Sequence, residues 1–119
     1  MSTAAQLVAK CLAVRTAAHY AHFQTRSYAR HVALGDFYDA LLDAVDEFAE
    51  VYMGLEGRFD SLPSATVPTG QPLEFIRELV SWLETNRNAA AAGHTALENI
   101  VDNITAIAAR TLYKLENLR

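Results

Sequence analysis

All three prolines and three of the five glycines lie between Gly54 and Pro72. Outside that window the chain carries only Gly35 and Gly93 and no proline. Proline removes a backbone donor and glycine costs backbone entropy, so both are kept out of helix interiors. Here the tracts on either side are rich in Ala, Leu and Glu, with apolar residues at helical spacing. No run alternates strictly enough to be a strand. The segment GLEGRFDSLPSATVPTGQP, residues 54–72, is therefore read as the one long loop of an all-α chain.

Four helices are expected, over about 3–23, 27–54, 73–91 and 95–118, in a single domain spanning 1–119. Thr25 and Ser27 are both candidate N-caps for the second helix. In that helix Leu34, Tyr38, Leu41, Val45, Phe48 and Tyr52 step by four and three, one apolar stripe along its length. Pro72 suits the start of the third helix, whose apolar face is Phe75, Ile76, Leu79, Val80 and Leu83. Gly93 marks the following turn. Thr95 and Glu98 have the spacing of a capping box for the fourth helix. Its stripe runs from Leu97 through Ile104 and Leu112 to Leu115 and Leu118.

Two helical hairpins joined by one long connection give the ferritin-like four-helix arrangement, if the connection crosses the length of the bundle. At up to about 3.3–3.6 Å per residue the loop can do so. An up-and-down bundle with a slack loop is the alternative.

Composition narrows the function. Lys+Arg is 10 and Asp+Glu is 14, a formal net charge of −4, against the basic excess of a generic nucleic-acid binder. Apolar residues make up 51% and charged residues 20%, a globular balance rather than a disordered one. No run approaches the roughly 20 apolar residues that span a bilayer. Lys10, Arg15, His19 and His22 interrupt the first segment, which reads as a helix rather than a signal peptide. The single cysteine, Cys11, permits no intrachain disulfide and fits a reducing, cytoplasmic setting. It reads as a small buried apolar residue.

Metal sites in bundles are built from inward carboxylates and histidines, typically with Glu-x-x-His on two helices. The residues three before the histidines are Thr16, His19, Tyr28 and Ala91, so that intrachain centre is missing. A different set remains. His19 and His31 flank the first turn, with His22 as an accessory candidate. Asp46 and Glu50 stand one turn apart on the second helix, a half-site for a hard or borderline cation. Imidazoles add affinity for iron or zinc. His31 and Asp46 are about 22 Å apart at about 1.5 Å per residue, so one ion cannot touch both within a chain. If they share an ion, a second chain supplies half, and a two-fold dimer holds two such sites.

The stretch AHYAHFQTRSYARHVALGDFYDALLDAVDEFAE, residues 18–50, resembles the Dps-type miniferritins, the starvation-inducible DNA-binding proteins. Their ferroxidase pattern of His, eleven residues, His, fourteen residues, Asp, three residues, Glu is met by His19, His31, Asp46 and Glu50. The ending TLYKLENLR, residues 111–119, is similar to the family's last helix. The resemblance implies a site between subunits, oxidation of Fe(II) by hydrogen peroxide or oxygen, and ferric storage in a homo-oligomeric cage. That assembly would be at least a two-fold dimer, and a dodecamer in the full cage. Iron is the implied metal, with zinc as a substitute in purified material. Short chains of this type also belong to bacteriophage genomes.

The departures are specific. Where the family carries an acidic residue four after the second histidine, this chain has Gly35, with Asp36 one step on as a candidate replacement. Tyr20 replaces a tryptophan. No extra helix is evident in the long loop. MSTAAQLVAK is not a basic arm, so DNA binding is not expected.

The simpler readings run alongside. Singly, each histidine is a surface or capping residue. Asp46 and Glu50, with Asp39, Asp43 and Glu47, form a solvated acidic face. Tyr28, Phe37, Tyr38, Phe48 and Tyr52 read as core or interface, Trp82 as packing on the third helix and His94 as a loop residue. The alternative function is a non-enzymatic helical assembly protein whose metal is structural or absent.

Overall fold

In a computed structural model, which describes residues 2–119, four helices account for most of the chain: α1 (Thr3–Gln24), α2 (Tyr28–Glu56), α3 (Pro72–Ala91) and α4 (Thr95–Asn117). Their termini follow from local chemistry. The Ser2 side chain accepts from the Ala5 N–H at 3.1 Å and starts α1. The Ser27 hydroxyl accepts from the Arg30 N–H at 3.2 Å and starts α2. Thr25 does not cap α2; its hydroxyl accepts from the Ser27 N–H instead and shapes the turn. Pro72 opens α3, where a missing N–H costs nothing. Ala92 and Gly93 close the α3–α4 turn in left-handed conformations, with φ of 52° and 83°.

The expected capping box is not formed. His94 is the N-cap residue of α4 and makes no side-chain cap, while Glu98 pairs with Arg87 at 3.3 Å. Two apolar expectations also shift. Tyr28 is 81% exposed and Leu118 47% exposed, so neither joins the core.

α1 packs on α2 and α3, and α4 packs on the same two helices. α2 and α3 therefore lie on a diagonal, which an up-and-down bundle would not give. The end of α2 lies at the start of α1, where Tyr52, Glu56 and Phe59 share a cleft with Ser2 and Ala5. The start of α3 lies at the α1–α2 turn, beside Gln24, Thr25 and Arg30. Residues 57–71 thus cross the whole bundle and carry no helix. This is the one-crossover order of ferritin-like bundles. Phe59 stacks on Tyr52 at 5.0 Å and pins the crossover where it leaves α2.

The core runs between the four helices, with Phe37, Phe48, Leu41, Ile76, Leu83 and Ile104 among its fully buried side chains. α1 contributes small residues, Ala4, Ala5, Ala13, Ala17 and Ala18, which let its backbone approach its neighbours closely. Cys11 is fully buried among them, and burial pushes its thiol up to about 12. Among the described residues no helix is long and apolar enough to cross a membrane.

Candidate metal centre

The α1–α2 turn is tight because the Thr25 N–H closes on the Ala21 carbonyl at 3.0 Å and Ser27 caps the start of α2 two residues later. This brings His22, in the last turn of α1, against His31, in the first turn of α2. His22 Nδ1 lies 2.6 Å from the His31 carbonyl oxygen, and His31 Nδ1 lies 2.8 Å from the His22 carbonyl oxygen. A carbonyl can only accept, so each Nδ1 must carry the proton and donate it. The two rings stack with centroids 3.7 Å apart and planes 18° apart.

The bond from His31 has a second use. The His22 carbonyl is one of the acceptors that the end of α1 leaves without a helical partner. His31 completes that helix end from the next helix. With Nδ1 committed, Nε2 is the only ring nitrogen either histidine has for a ligand.

Gly35 explains how the pair fits. It lies one turn beyond His31 in α2, and a Cβ there would sit 3.1 Å from His22 Cε1 and 3.3 Å from His22 Nδ1. The His22 imidazole occupies the space that a side chain at position 35 would fill.

His19 stands one turn before His22. Its ring stacks on Tyr38 at 4.1 Å and on Phe23 at 4.8 Å, and meets His22 edge-on at 6.1 Å. Tyr38 also meets His22 edge-on, at 5.4 Å. Three histidines and Tyr38 thus form one half-buried ring cluster at this end of the hairpin.

The carboxylate candidates are elsewhere. The exposed Asp36 carboxylate is 3.8 Å from Lys114 Nζ on α4. Asp46 and Glu50 are exposed, and neither has an ion-pair partner among the described residues. Asp46 lies about 22 Å and Glu50 about 28 Å beyond His31 along α2, by the helix rise of about 1.5 Å per residue. Among the described residues of one chain, no three His, Cys, Asp or Glu side chains are grouped to hold a metal ion. A site built from both halves needs a second chain.

Sequence reasoning placed His22 as an accessory and overlooked Gly35 and Tyr38 as its neighbours. The one signal along the chain was that His22 closely precedes a short turn; which residues of α2 it faces is set by the closure of Thr25 on Ala21.

Fold and site together define a one-crossover four-helix protein with an imidazole cluster at one end of its first hairpin. Residues 22–115 match a family of unknown function (DUF5856), and the chain belongs to that family. It is similar to the "Uncharacterized 14.6 kDa protein in mobD-ri intergenic region" of Enterobacteria phage T4. The two are 30% identical over 114 residues, covering 96% of this chain and 88% of that one. No solved structure matches. The family match takes in His22, His31, Gly35, Asp46 and Glu50 and begins after His19.

Proposed function

We propose that this protein is a Dps-like iron-binding ferroxidase, with Fe(II) as the substrate held between two copies of the chain. The observation that carries the reading is the committed Nδ1–H of His31, which leaves Nε2 as the nitrogen free to meet a cation. Ligating histidines usually donate their other N–H to a carbonyl or carboxylate in this way. His19 would add a second nitrogen from the same chain. Asp46 and Glu50 of the second copy would supply oxygen ligands, and carboxylates favour Fe(III) over Fe(II), which helps drive oxidation. The acidic face of α2, with Asp39, Asp43 and Glu47, would raise the local concentration of Fe(II). Peroxide would accept two electrons and two protons and leave as water, one electron coming from each of two Fe(II). Zinc would fill the same ligands in purified material.

One further feature supports a second copy on this face. Tyr20 and Phe23 are 59% and 69% exposed beside the histidines. A partner surface would cover both rings. Whether pairs assemble further into a dodecameric cage belongs to the same proposal.

One observation favours a second reading. His22 and His31 already serve a structural purpose as a clamp on the hairpin, which a metal-free helical assembly protein would use equally well. Anaerobic Fe(II) titration followed by a peroxide pulse, with particle mass from light scattering, separates the two. Saturable binding and fast oxidation are expected for wild type, and loss of both for His31→Ala and Asp46→Ala with the oligomer intact. Co-assembling those two variants tests the sharing. In a two-fold heterodimer one site regains all its ligands, so random mixing restores about a quarter of the sites. No restoration would refute a site shared between chains, and absence of iron binding in wild type would leave the assembly reading.

A further inference from the structure

The structure assigns His22 a positioning role: it holds His31 so that the Nε2 of His31 faces an incoming divalent cation, and Gly35 is the vacancy that lets it do so. This rests on the metal-binding reading above and adds to it a residue that the histidine–carboxylate pattern does not contain. His31 sits in the first turn of α2, where a helix has few hydrogen bonds of its own, and its ring is half-buried. Left alone, such a ring samples several rotamers and both neutral tautomers. Two contacts from His22 restrict it. The His22 Nδ1–H ties the His31 backbone carbonyl to α1 at 2.6 Å, and the His22 ring covers one face of the His31 ring at 3.7 Å. His31 answers with its own Nδ1–H to the His22 carbonyl at 2.8 Å. The pair is closed in both directions, so disturbing either ring disturbs both.

The geometry also says why His22 acts through His31 rather than as a ligand beside it. The rings are almost parallel, 18° apart, so their in-plane lone pairs cannot converge on one ion at ordinary ligand distance. Position 35 then acquires a meaning. Any side chain there, an acidic one included, would bring its Cβ to 3.1–3.3 Å from the His22 imidazole, so the ring would have to shift by a few tenths of an ångström against its hydrogen bond. Gly35 and His22 form one device: a side chain at position 35 and the imidazole at position 22 compete for the same space.

The test uses the full chain and two readouts. Long-range proton–nitrogen correlation spectra report the tautomer of each histidine without metal. Anaerobic titration with Co(II), a spectroscopic stand-in for Fe(II), reports affinity and ligand field. Wild type should show only the Nδ1–H tautomer for His22 and His31. His22→Ala should give mixed tautomers at His31 and bind Co(II) about 10–100-fold more weakly, the usual cost of removing a group that orients a ligand. His22→Asn is the decisive variant, because its amide N–H stands where Nδ1 stands but offers no Nε2. It should recover binding to within about threefold of wild type. Gly35→Ala should resemble His22→Ala, with helix content by circular dichroism unchanged in all three.

His22→Ala binding as tightly as wild type would overturn the positioning role alone. His22→Asn falling as far as His31→Ala would overturn it in favour of direct ligation by His22. A wild type with the expected tautomers that binds no Co(II) would overturn the metal reading itself, and this role with it.

Discussion

Gly35→Ala offers a quantitative probe of the imidazole pair, because two opposing effects meet at one atom. Gly35 is inside α2, and its φ is not among the positive ones. Alanine there should gain about 0.5–1 kcal/mol over glycine from backbone entropy. The new Cβ would stand 3.1 Å from His22 Cε1 and 3.3 Å from Nδ1, inside the usual carbon contact distance. His22 cannot retreat freely. Its Nδ1–H is engaged at 2.6 Å, and one face of its ring is covered by His31 at 3.7 Å. Moving it loosens one or two hydrogen bonds, worth about 0.5–1.5 kcal/mol each, and a ring stack of similar size. The loss is thus about 1–3 kcal/mol against a smaller gain, and Gly35→Ala should destabilise by about 1 kcal/mol.

The same substitution in a His22→Ala background meets open space and should stabilise by the helix term of about 0.5–1 kcal/mol. The change of sign is the signature, with a coupling energy of about 1–3 kcal/mol between positions 22 and 35. Urea unfolding followed by circular dichroism measures it. Protein concentration must be fixed, since any oligomer would add a concentration-dependent term. If Gly35→Ala stabilises both backgrounds equally, within about 0.5 kcal/mol, His22 does not occupy the space at Gly35 and the reasoning fails.

Ala92 holds a left-handed conformation at φ 52°, ψ 32°, which costs a residue with a Cβ roughly 1 kcal/mol, so Ala92→Gly should raise the melting temperature by about 2–6 °C; an unchanged or lower value would mean the turn is not strained. Cys11 is fully buried with its thiol pushed up to about 12, so it should react with a disulfide reagent only as fast as the protein opens, and addition of urea should release the reaction; rapid labelling of the native chain would contradict the packing of α1. Hydrogen bonds from Arg87 hold the Asp102 carboxyl below its ordinary value of 3.8, so this contribution is present above that range and lost as pH falls through it; Asp102→Asn should lower the melting temperature at neutral pH, with the difference from wild type closing on acidification.

The helices were legible because their punctuation is unambiguous. With prolines confined to residues 63–72 and helical spacing elsewhere, each helix boundary fell within two residues of the structure. The direction of the long connection was not legible, since the loop is long enough for either topology. What decides it is the packing of α1 on α3 and of α4 on α2, which puts α2 and α3 on a diagonal. The α4 start was placed correctly at Thr95, but its capping box was misread for a local reason. Thr95 and Glu98 have capping-box spacing, but Arg87 on α3 draws Glu98 away, and a tertiary ion pair outcompetes a local cap. Tyr28 fell outside the core because it sits at the very start of α2, where it only borders an open cleft with Lys114 and Leu118.

The candidate site divides in a way that explains what the sequence could carry. Spacing along one helix is read directly, so the separation of His31 from Asp46 and Glu50 followed from the helix rise alone. Contacts across a turn depend on register, which spacing does not fix. His22 and His31 are separated by a helix end, a cap and a helix start, and only the closure of Thr25 on Ala21 sets which residue of α1 faces which residue of α2. Gly35 shows the consequence. Read along the chain it is a gap in an acidic pattern. Read across the hairpin it is the one position where the absence of a side chain makes room for an imidazole. The residue at position 35 and the one thirteen positions earlier are thus coupled through a contact of 3.1 Å. In the chains of this family, glycine at the position of Gly35 should accompany histidine at the position of His22, and a larger residue at the first should accompany loss of the second.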